Sequence, residues 1–265
     1  MDKEKKHSSI SKTVDKALRI LDLFSTMKKE MGIVEIARNV KVNTSTVQRI
    51  VNTLYRHNYL QQHSGNARYK LGLKLLEVSN QVLAGIDLRQ TARPFLEQLR
   101  DRTGETIHLM IMDGSRGVYI DALESPQRIR VASAIGTREE LHCSSIGKAL
   151  LAFSTEKEVG RIIETQGLRR KTPHTITDPN EFKEQLVQIR KRGYAVDDEE
   201  GQIGTRCIGA SIFDHTGKNV AAISIAAPSY RLDQQKIEQF TPIVTEIANK
   251  ISKNLGNIEK KHYRK

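Results

Sequence analysis

The stretch IVEIARNVKVNTSTVQRIVNTL, residues 33–54, predicts two short helices separated by a tight turn. Apolar residues recur at helical spacing in each half, at positions 33, 36, 37 and 40 and again at 47, 50, 51 and 54. Asn43 lies where the second helix begins, and its side-chain carbonyl can accept a hydrogen bond from a free backbone amide of that helix. The spacing therefore predicts a helix-turn-helix pair.

The polar face of the second helix has side chains that suit nucleic acid. They are short hydroxyls and amides and one guanidinium, which are types that contact base edges and phosphates. The set comprises Asn43, Thr44, Ser45, Thr46, Gln48, Arg49 and Asn52. An ordinary amphipathic helix pair with a solvated outer face is the alternative, and this stretch alone does not decide between the two.

The distribution of charge favours a polyanionic partner for this part of the chain. The net charge of the 265 residues is +12, and residues 1–73 carry 14 Lys and Arg against 6 Asp and Glu, a net of +8. The last ten residues add +3, which leaves +1 for residues 74–255. Basic segments bind polyanions because counterions are released. We therefore expect a nucleic acid to bind the first part of the chain.

The amino-acid composition also indicates the cellular compartment of the protein. The chain is 38% apolar, and it contains no uninterrupted apolar run long enough to span a bilayer. The N-terminal residues MDKEKKHSSI are charged and lack the apolar centre of a signal peptide. Two cysteines make no disulfide framework. These features predict a cytoplasmic protein without membrane contact.

The residues around the helix pair complete a winged helix-turn-helix domain, residues 10–73. An amphipathic helix is predicted over residues 13–24, with apolar positions 14, 17, 18, 21 and 24. Strand-like segments at 59–60 and 69–71 flank a turn at 63–66, where Gly-Asn favours a hairpin. This hairpin is the predicted wing, and it would carry Arg68 and Lys70 toward the DNA backbone.

The remainder of the chain predicts an α+β domain. A linker helix is expected over residues 74–88, a second domain over 89–256, and a basic tail over 257–265. The second domain is predicted to be an antiparallel sheet of five or six strands with surrounding helices. Predicted strands are a hairpin at 106–123 and segments at 129–134, 194–197, 207–213 and 220–226; predicted helices lie at 87–102, 144–153, 155–165, 178–192 and 233–255.

Signatures of catalysis and of bound cofactors are missing from the sequence. Gly147-Lys148 is followed by alanine, so the P-loop pattern fails, and no G-x-S-x-G occurs. Zinc held by His142, Cys143 and Cys207 is conceivable, but no paired C-x-x-C spacing supports it. We therefore predict no cofactor, no metal and no catalytic residue. An enzyme with an accessory winged helix is the less favoured alternative.

Three segments of the second domain, together with the strand-end carboxylate of Asp197, could form a pocket for a small carboxylate. Ser144, Ser145, Ile146 and Gly147 begin a helix, whose free amides attract anions. Thr205 and Cys207 begin a strand, and Asp197 ends another strand before an acidic run. Ser224 and Ala226 share one face of a further strand. Hydroxyl groups at the other end of such a ligand would meet these polar side chains.

The chain resembles the IclR family of bacterial and archaeal transcription regulators, named for the isocitrate lyase regulator. The segment TVDKALRILDLF…IVEIARNVKVNTSTVQRIVNTLYRHNYLQQ is similar to the N-terminal pattern of the family. LHCSSIGKALLAF and RGYAVDDEEGQIGTRCIGASIFD…AAISIAAP are similar to its effector-domain pattern. The resemblance spans about residues 10–255, with motifs of both domains in the right order.

The resemblance implies a ligand-responsive regulator that binds double-stranded operator DNA as a homodimer, with tetramers formed through effector domains. It implies that residues 89–256 are an effector-binding and oligomerisation domain similar to a GAF or PAS domain. It implies effector contacts from Ser145, Ile146, Gly147, Asp197, Thr205, Cys207 and Ser224. Ala226 stands where some carboxylate-binding members have a second serine, so a sugar acid or other carbon-source intermediate is expected rather than a two- or three-carbon acid. The predicted function is a repressor of a catabolic operon. An activator of the same family and an RNA-binding protein are the alternatives.

Overall fold

The computed structural model describes residues 10–26, 30–63, 65–84 and 87–257. They divide into two compact units, one within residues 1–85 and one within 86–265. The predicted turn at 63–66 therefore falls partly outside the described residues, because Ser64 does. The tail lies outside them from residue 258 onward.

The first unit is a winged helix-turn-helix domain, as predicted. Its elements are α1 (Lys12–Thr26), β1 (Met31–Gly32), α2 (Ile33–Val40), α3 (Thr44–Arg56), β2 (Leu60–Gln62), β3 (Arg68–Leu71) and α4 (Lys74–Ala84). The strands form an antiparallel sheet in the order β1-β3-β2. Ile20, Ile36, Val47 and Val51 are fully buried at its core. The two-residue strand β1 was not predicted, since only its pairing with β3 makes it a strand.

One apolar stripe of this unit is not used by its core. Val14 and Leu18 are each 56% exposed and Ile10 is 77% exposed, although the sequence pattern placed positions 14 and 18 on the packing face of the helix. Residues at i and i+4 lie on one side of a helix, so Val14 and Leu18 form an apolar strip on α1, and Ile10 lies two residues before that helix begins. The core contacts of α1 come instead from Ile20 and Phe24. The strip is available to another surface.

The second unit has the predicted α+β architecture. Its elements are α5 (Asp87–Thr103), β4 (Thr106–Asp113), β5 (Arg116–Leu123), β6 (Arg138–Glu139), α6 (Ser145–Ala152), α7 (Glu156–Gln166), α8 (Pro179–Arg192), β7 (Ala195–Asp198), β8 (Thr205–Phe213), β9 (Asn219–Pro228) and α9 (Gln234–Asn254). Six antiparallel strands follow the order β6-β5-β4-β9-β8-β7. In the parts of the chain that the structure covers, no helix has the length and apolarity to cross a bilayer.

The prediction of a strand at residues 129–134 was wrong. That segment is irregular, and the Thr106 hydroxyl donates a hydrogen bond to the Val131 carbonyl at 2.7 Å in place of a backbone ladder. The edge strand is instead β6, which pairs with β5. Alternation of apolar residues gives a segment strand character only if a neighbouring strand is free to pair with it.

The sheet separates two layers of helices. Residues 221, 223, 225 and 227 of β9 face α5 and α9, while Ala222 faces α6, α7 and α8. Because side chains alternate along a strand, Ser224 and Ala226 also face the α6 side. The same alternation places Cys207, Gly209 and Ser211 of β8 on that side. Polar and small side chains therefore gather beneath the beginning of α6.

Gly209 allows α6 to approach the sheet closely. A Cβ atom at this position would lie 2.6 Å from the Ser145 carbonyl oxygen and 2.9 Å from the Ile146 nitrogen. Any larger residue would push the first turn of α6 away from β8. The close approach fixes the height of that turn above the neighbouring strands.

Candidate functional site

The outward face of α3 has the geometry of a DNA-contacting helix. Thr44, Ser45, Arg49 and Asn52 are exposed. The Gln48 amide donates a hydrogen bond to the Asn52 carbonyl oxygen at 3.0 Å, one helical turn away. The bond orients the Gln48 amide on this face, and a single side-chain amide of this type can make a bidentate contact to adenine through its oxygen and its NH2 group.

Besides Gln48 and Asn52, two further residues of the predicted DNA-contacting set have intramolecular partners. The Asn43 side chain accepts a hydrogen bond from the Thr46 backbone amide at 3.1 Å, so it caps α3 as the sequence predicted. The prediction that Arg68 points to DNA is corrected in part: its guanidinium donates to the Glu35 carboxylate at 2.7 Å and to the Glu30 carbonyl at 3.0 Å. Lys70, on the same strand, is exposed.

A cavity of about 210 Å³ lies between the beginning of α6 and the α6 side of the sheet. It is bounded by β4, β5, β7, β8 and β9 and by the irregular segment that follows β5. Seven of the eight residues predicted to bind an effector line it, namely Ser145, Ile146, Asp197, Thr205, Cys207, Ser224 and Ala226. The separate segments therefore do converge.

Gly147 does not line the cavity, so its predicted contact is corrected. Its backbone amide donates to the Ser144 hydroxyl, which caps α6, at 3.2 Å. A Cβ atom at Gly147 would lie 2.4 Å from the Leu141 carbonyl oxygen, so this glycine lets α6 pack against the preceding loop. The amides of Ser145 and Ile146, at the positive end of the helix dipole, are the ones left to face an anion.

Asp197 enters the cavity from the end of β7 and is held by its own loop. One carboxylate oxygen accepts hydrogen bonds from the backbone amides of Glu200 at 2.7 Å and Gly201 at 3.4 Å. Burial raises the pKa of Asp197 to about 7, an effect that the nearby Lys148 ammonium opposes. The carboxyl group therefore changes charge near neutral pH.

A buried ion pair lies behind Asp197. The Lys148 side chain is fully buried, and its ammonium pairs with the Glu200 carboxylate. The Glu200 carbonyl accepts from the Thr175 hydroxyl at 2.7 Å, and the Thr172 hydroxyl donates to the Glu199 carbonyl at 2.7 Å. α6, the loop after β7 and the segment around residue 172 are thus joined through one cluster.

The cavity also includes residues that the sequence pattern did not single out, chiefly His108, Tyr119 and Glu139. Burial lowers the pKa of His108 to about 4 and raises the pKa of Glu139 and of Tyr119. His108 is therefore a neutral ring at physiological pH. A histidine inside the apolar segment IHLMIM has the pattern of a core residue, and only its polarity could have indicated a site.

The cysteine side chains of the cavity are thiols. Burial raises the pKa of Cys143 to about 12 and raises the pKa of Cys207 well above its usual value, so neither has the character of a reactive thiolate. The structure does not bring the zinc set of His142, Cys143 and Cys207 together: among the described residues, His142 and Cys143 cluster with Glu140 and not with Cys207. Glu140, His142 and Cys143 do cluster, but Lys171 and Arg116 already face the Glu140 carboxylate at 3.3 and 4.0 Å.

Comparisons with known proteins relate both units to the same protein family. The family model of the bacterial transcriptional regulator IclR C-terminal domain matches residues 80–253, and that of the IclR helix-turn-helix domain matches residues 13–64. Two similar proteins come from Escherichia coli (strain K12). The HTH-type transcriptional regulator XynR is 35% identical over 247 residues, covering 93% of this chain and 98% of XynR. The HTH-type transcriptional repressor AllR is 32% identical over 246 residues, covering 93% of this chain and 91% of AllR.

Among solved structures, the Thermotoga maritima IclR matches with a TM-score of 0.78 and 38% sequence identity. The match covers 92% of this chain and 98% of that protein. The similarity therefore includes the winged helix, the linker helix and the sheet that bounds the cavity.

Proposed function

The chain belongs to the IclR family and is a DNA-binding regulator of transcription; on that premise we propose that it represses an operon for the use of a carbon source and that a small hydroxylated carboxylic acid controls it. The observation that carries the proposal is the cavity beneath α6, where free helix amides and polar side chains of three strands meet. Similarity to the repressor AllR supports repression. We place the protein in the cytoplasm, where its operator is.

The cavity favours an acid with hydroxyl groups on chemical grounds. The amides at the beginning of α6 suit a carboxylate, because the helix dipole and unpaired N–H groups both attract negative charge. Thr205, Cys207 and Ser224 offer neutral hydrogen-bonding groups, and Asp197 can accept from a hydroxyl. Ala226 leaves more space and less polarity at one side of the cavity than a serine would. A dicarboxylate would bring its second negative charge toward Asp197 or Glu139, which disfavours that class.

The control mechanism we propose is a shift between two arrangements of the protein. An effector can change DNA affinity only if it binds one arrangement more tightly than the other. Contacts to both α6 and β7 make the cavity sensitive to the relation between these elements, since the Lys148–Glu200 pair connects them. The acid would thus favour one packing of the second unit.

We also propose that the operator-binding form is a homodimer and that effector domains can pair dimers into tetramers. Support for the dimer comes from the exposed side chains of Val14 and Leu18 on α1 and of Ile10 just before it, apolar groups of the kind that subunit interfaces bury. The symmetric operators of paired helix-turn-helix proteins fit the same assembly. A monomeric mass in sedimentation equilibrium would contradict it.

Arg49 and Gln48 are expected to contribute differently to DNA binding. Replacing Gln48 by alanine should weaken binding to a selected operator duplex by roughly 1–3 kcal/mol, because a bidentate base contact is lost. Replacing Arg49 by alanine should weaken binding to operator and random duplex alike and reduce the salt slope by about 1. Fluorescence anisotropy at several salt concentrations measures both effects. Lys183→Ala, an exposed change on α8, is the matched control. Equal losses on both duplexes for Gln48→Ala would remove its role in sequence selection.

The effector part of the proposal is tested by a thermal-shift screen of small carboxylic acids. An acid that binds the folded state raises the melting temperature in proportion to the logarithm of its concentration over its dissociation constant. We expect a hydroxylated monocarboxylate to stabilise the protein and to change operator affinity. Ser224→Ala should reduce that stabilisation while leaving DNA affinity without effector unchanged. If hydroxylated acids stabilise no better than dicarboxylates do, the assigned effector class is wrong.

A further inference from the structure

His108 has an unused hydrogen-bonding atom at the floor of the cavity. The residue lies on β4, is 2% exposed, and packs its ring against Tyr119 with centroids 4.8 Å apart. Its Nε2 atom is buried and has no hydrogen-bond partner among the residues that the structure describes. An unpaired buried polar atom is unfavourable, so its retention at a cavity wall points to a partner that binds there.

Two serines make this wall polar without making it charged. Ser224 is directly opposite His108 in the β4–β9 pair. The Ser145 hydroxyl is also buried, lines the same cavity and lacks a partner in the described part of the chain. His108 itself is neutral, because burial lowers its pKa to about 4. A neutral imidazole both donates and accepts one hydrogen bond, as hydroxyls do.

Charges in the cavity lie elsewhere. Asp197 approaches from β7, Glu139 from β6, and Lys171 from the loop before α8, where it already pairs with Glu140. The wall made by His108, Ser145 and Ser224 therefore suits an uncharged polar group such as a hydroxyl or a carbonyl. A bare alkyl chain there would leave the imidazole nitrogen and the serine hydroxyl unpaired, and such mismatches are rejected strongly.

We propose that His108 is the specificity-determining residue of the effector cavity, and that it hydrogen-bonds a hydroxyl or carbonyl group of the effector and thereby excludes alkyl carboxylates of the same length. The inference rests on the proposed function, in which the effector is a small carboxylic acid. It adds the residue that distinguishes oxygenated acids from unsubstituted ones and assigns a use to a nitrogen that the fold leaves unpaired.

The test compares two pairs of acids that match in chain length: gluconate with hexanoate, and glycerate with propionate. Isothermal titration calorimetry of the full-length protein gives each dissociation constant. We expect the wild type to bind the hydroxylated member of at least one pair at least tenfold more tightly. His108→Phe keeps a planar aromatic ring but removes both nitrogens, and should lower that preference by a factor of roughly ten to a hundred. His108→Asn, which keeps a donor and an acceptor, should retain much of the preference.

The variants also separate this role from a structural one. If His108 only supported the fold, His108→Phe would change the affinities for both members of a pair alike, and that result would overturn the proposal. Equal wild-type affinity for hydroxylated and alkyl acids would overturn it too, while the proposed function would stand. A wild type that binds neither member of either pair would contradict the acid effector itself and this inference with it. His174→Phe, at an exposed histidine, is the control and should leave every ratio unchanged.

Discussion

Replacement of Lys148 by methionine is expected to lower the free energy of unfolding by about 3–5 kcal/mol. The Lys148 side chain is fully buried, and its ammonium pairs with the Glu200 carboxylate, which is itself buried. Methionine has a similar length and fills the space without charge, so packing is largely kept. The carboxylate of Glu200 would then lie unpaired inside the protein, and this is the main cost. Urea unfolding of the full chain, followed by far-ultraviolet circular dichroism, measures the change.

A second substitution tests the cause. In Lys148→Met with Glu200→Gln, neither member of the pair carries a charge, and most of the lost stability should return, because replacing both partners of a buried pair is far less costly than removing one. Lys183→Met changes an exposed lysine of α8, and a surface change of this kind should stay within about 0.5 kcal/mol. Should Lys148→Met prove as stable as Lys183→Met, the ion pair would have no stabilising role.

The same ion pair has a consequence for the cavity. Glu200 donates its backbone amide to the Asp197 carboxylate at 2.7 Å, and its carbonyl accepts from the Thr175 hydroxyl at 2.7 Å. Lys148 therefore holds the loop that orients Asp197. A network in which each member has a partner is rigid, whereas a partly satisfied one is costly. The variants of Lys148 should accordingly weaken effector binding even where the fold survives.

Local sequence chemistry was sufficient to predict most of the fold. Asn43 caps α3, Ser144 caps α6 and Asp178 caps α8, and each cap depends only on residues within one helical turn. The Asp-Gly turn at residue 113 likewise defines the β4–β5 hairpin within a few residues. Such signals are complete in the sequence itself.

The features that were missed depend on partners distant in the chain. β1 is a strand because Met31 pairs with Tyr69, and the half-exposed Arg68 side chain is paired with Glu35, 33 residues earlier. The segment at 129–134 has strand-like alternation, but the edge of β5 is occupied by β6. No periodicity of a single segment contains that information, so tertiary pairing decided each case.

The sequence predicted most of the side chains that were proposed to bind an effector and that line the cavity, but it did not predict His108 at the floor. Helix-start amides, Asp197 and the strand hydroxyls were visible because their residue types suit an anion with hydroxyl groups. His108 was not, since one polar residue within an apolar strand resembles a core histidine. Gly147 was assigned to the ligand although its amide completes the α6 cap. Residue type indicates which chemistry is possible, while the direction of each N–H group follows from packing.

Asp197→Asn is expected to remove a large pH dependence of stability. Burial raises the pKa of Asp197 to about 7, well above the ordinary value of 3.8. The folded protein therefore favours the protonated carboxyl group, and the stability that this group contributes is complete below about pH 4 and is lost as pH rises through 7. Between pH 5 and 8 the loss is roughly 2–3 kcal/mol from that difference in pKa. Asparagine keeps the shape and one acceptor oxygen, and it does not titrate.

The measurement is the difference in unfolding free energy between wild type and Asp197→Asn at several pH values from 5 to 8. Burial lowers the pKa of His108 and of His142, so these residues make stability rise with pH, and only the difference between the two proteins isolates Asp197. We expect the wild type to lose stability relative to the variant as pH increases; parallel curves would show that Asp197 titrates near its ordinary pKa. An effector hydroxyl that donates to Asp197 would stabilise the carboxylate, so effector affinity should rise with pH in the wild type and not in the variant.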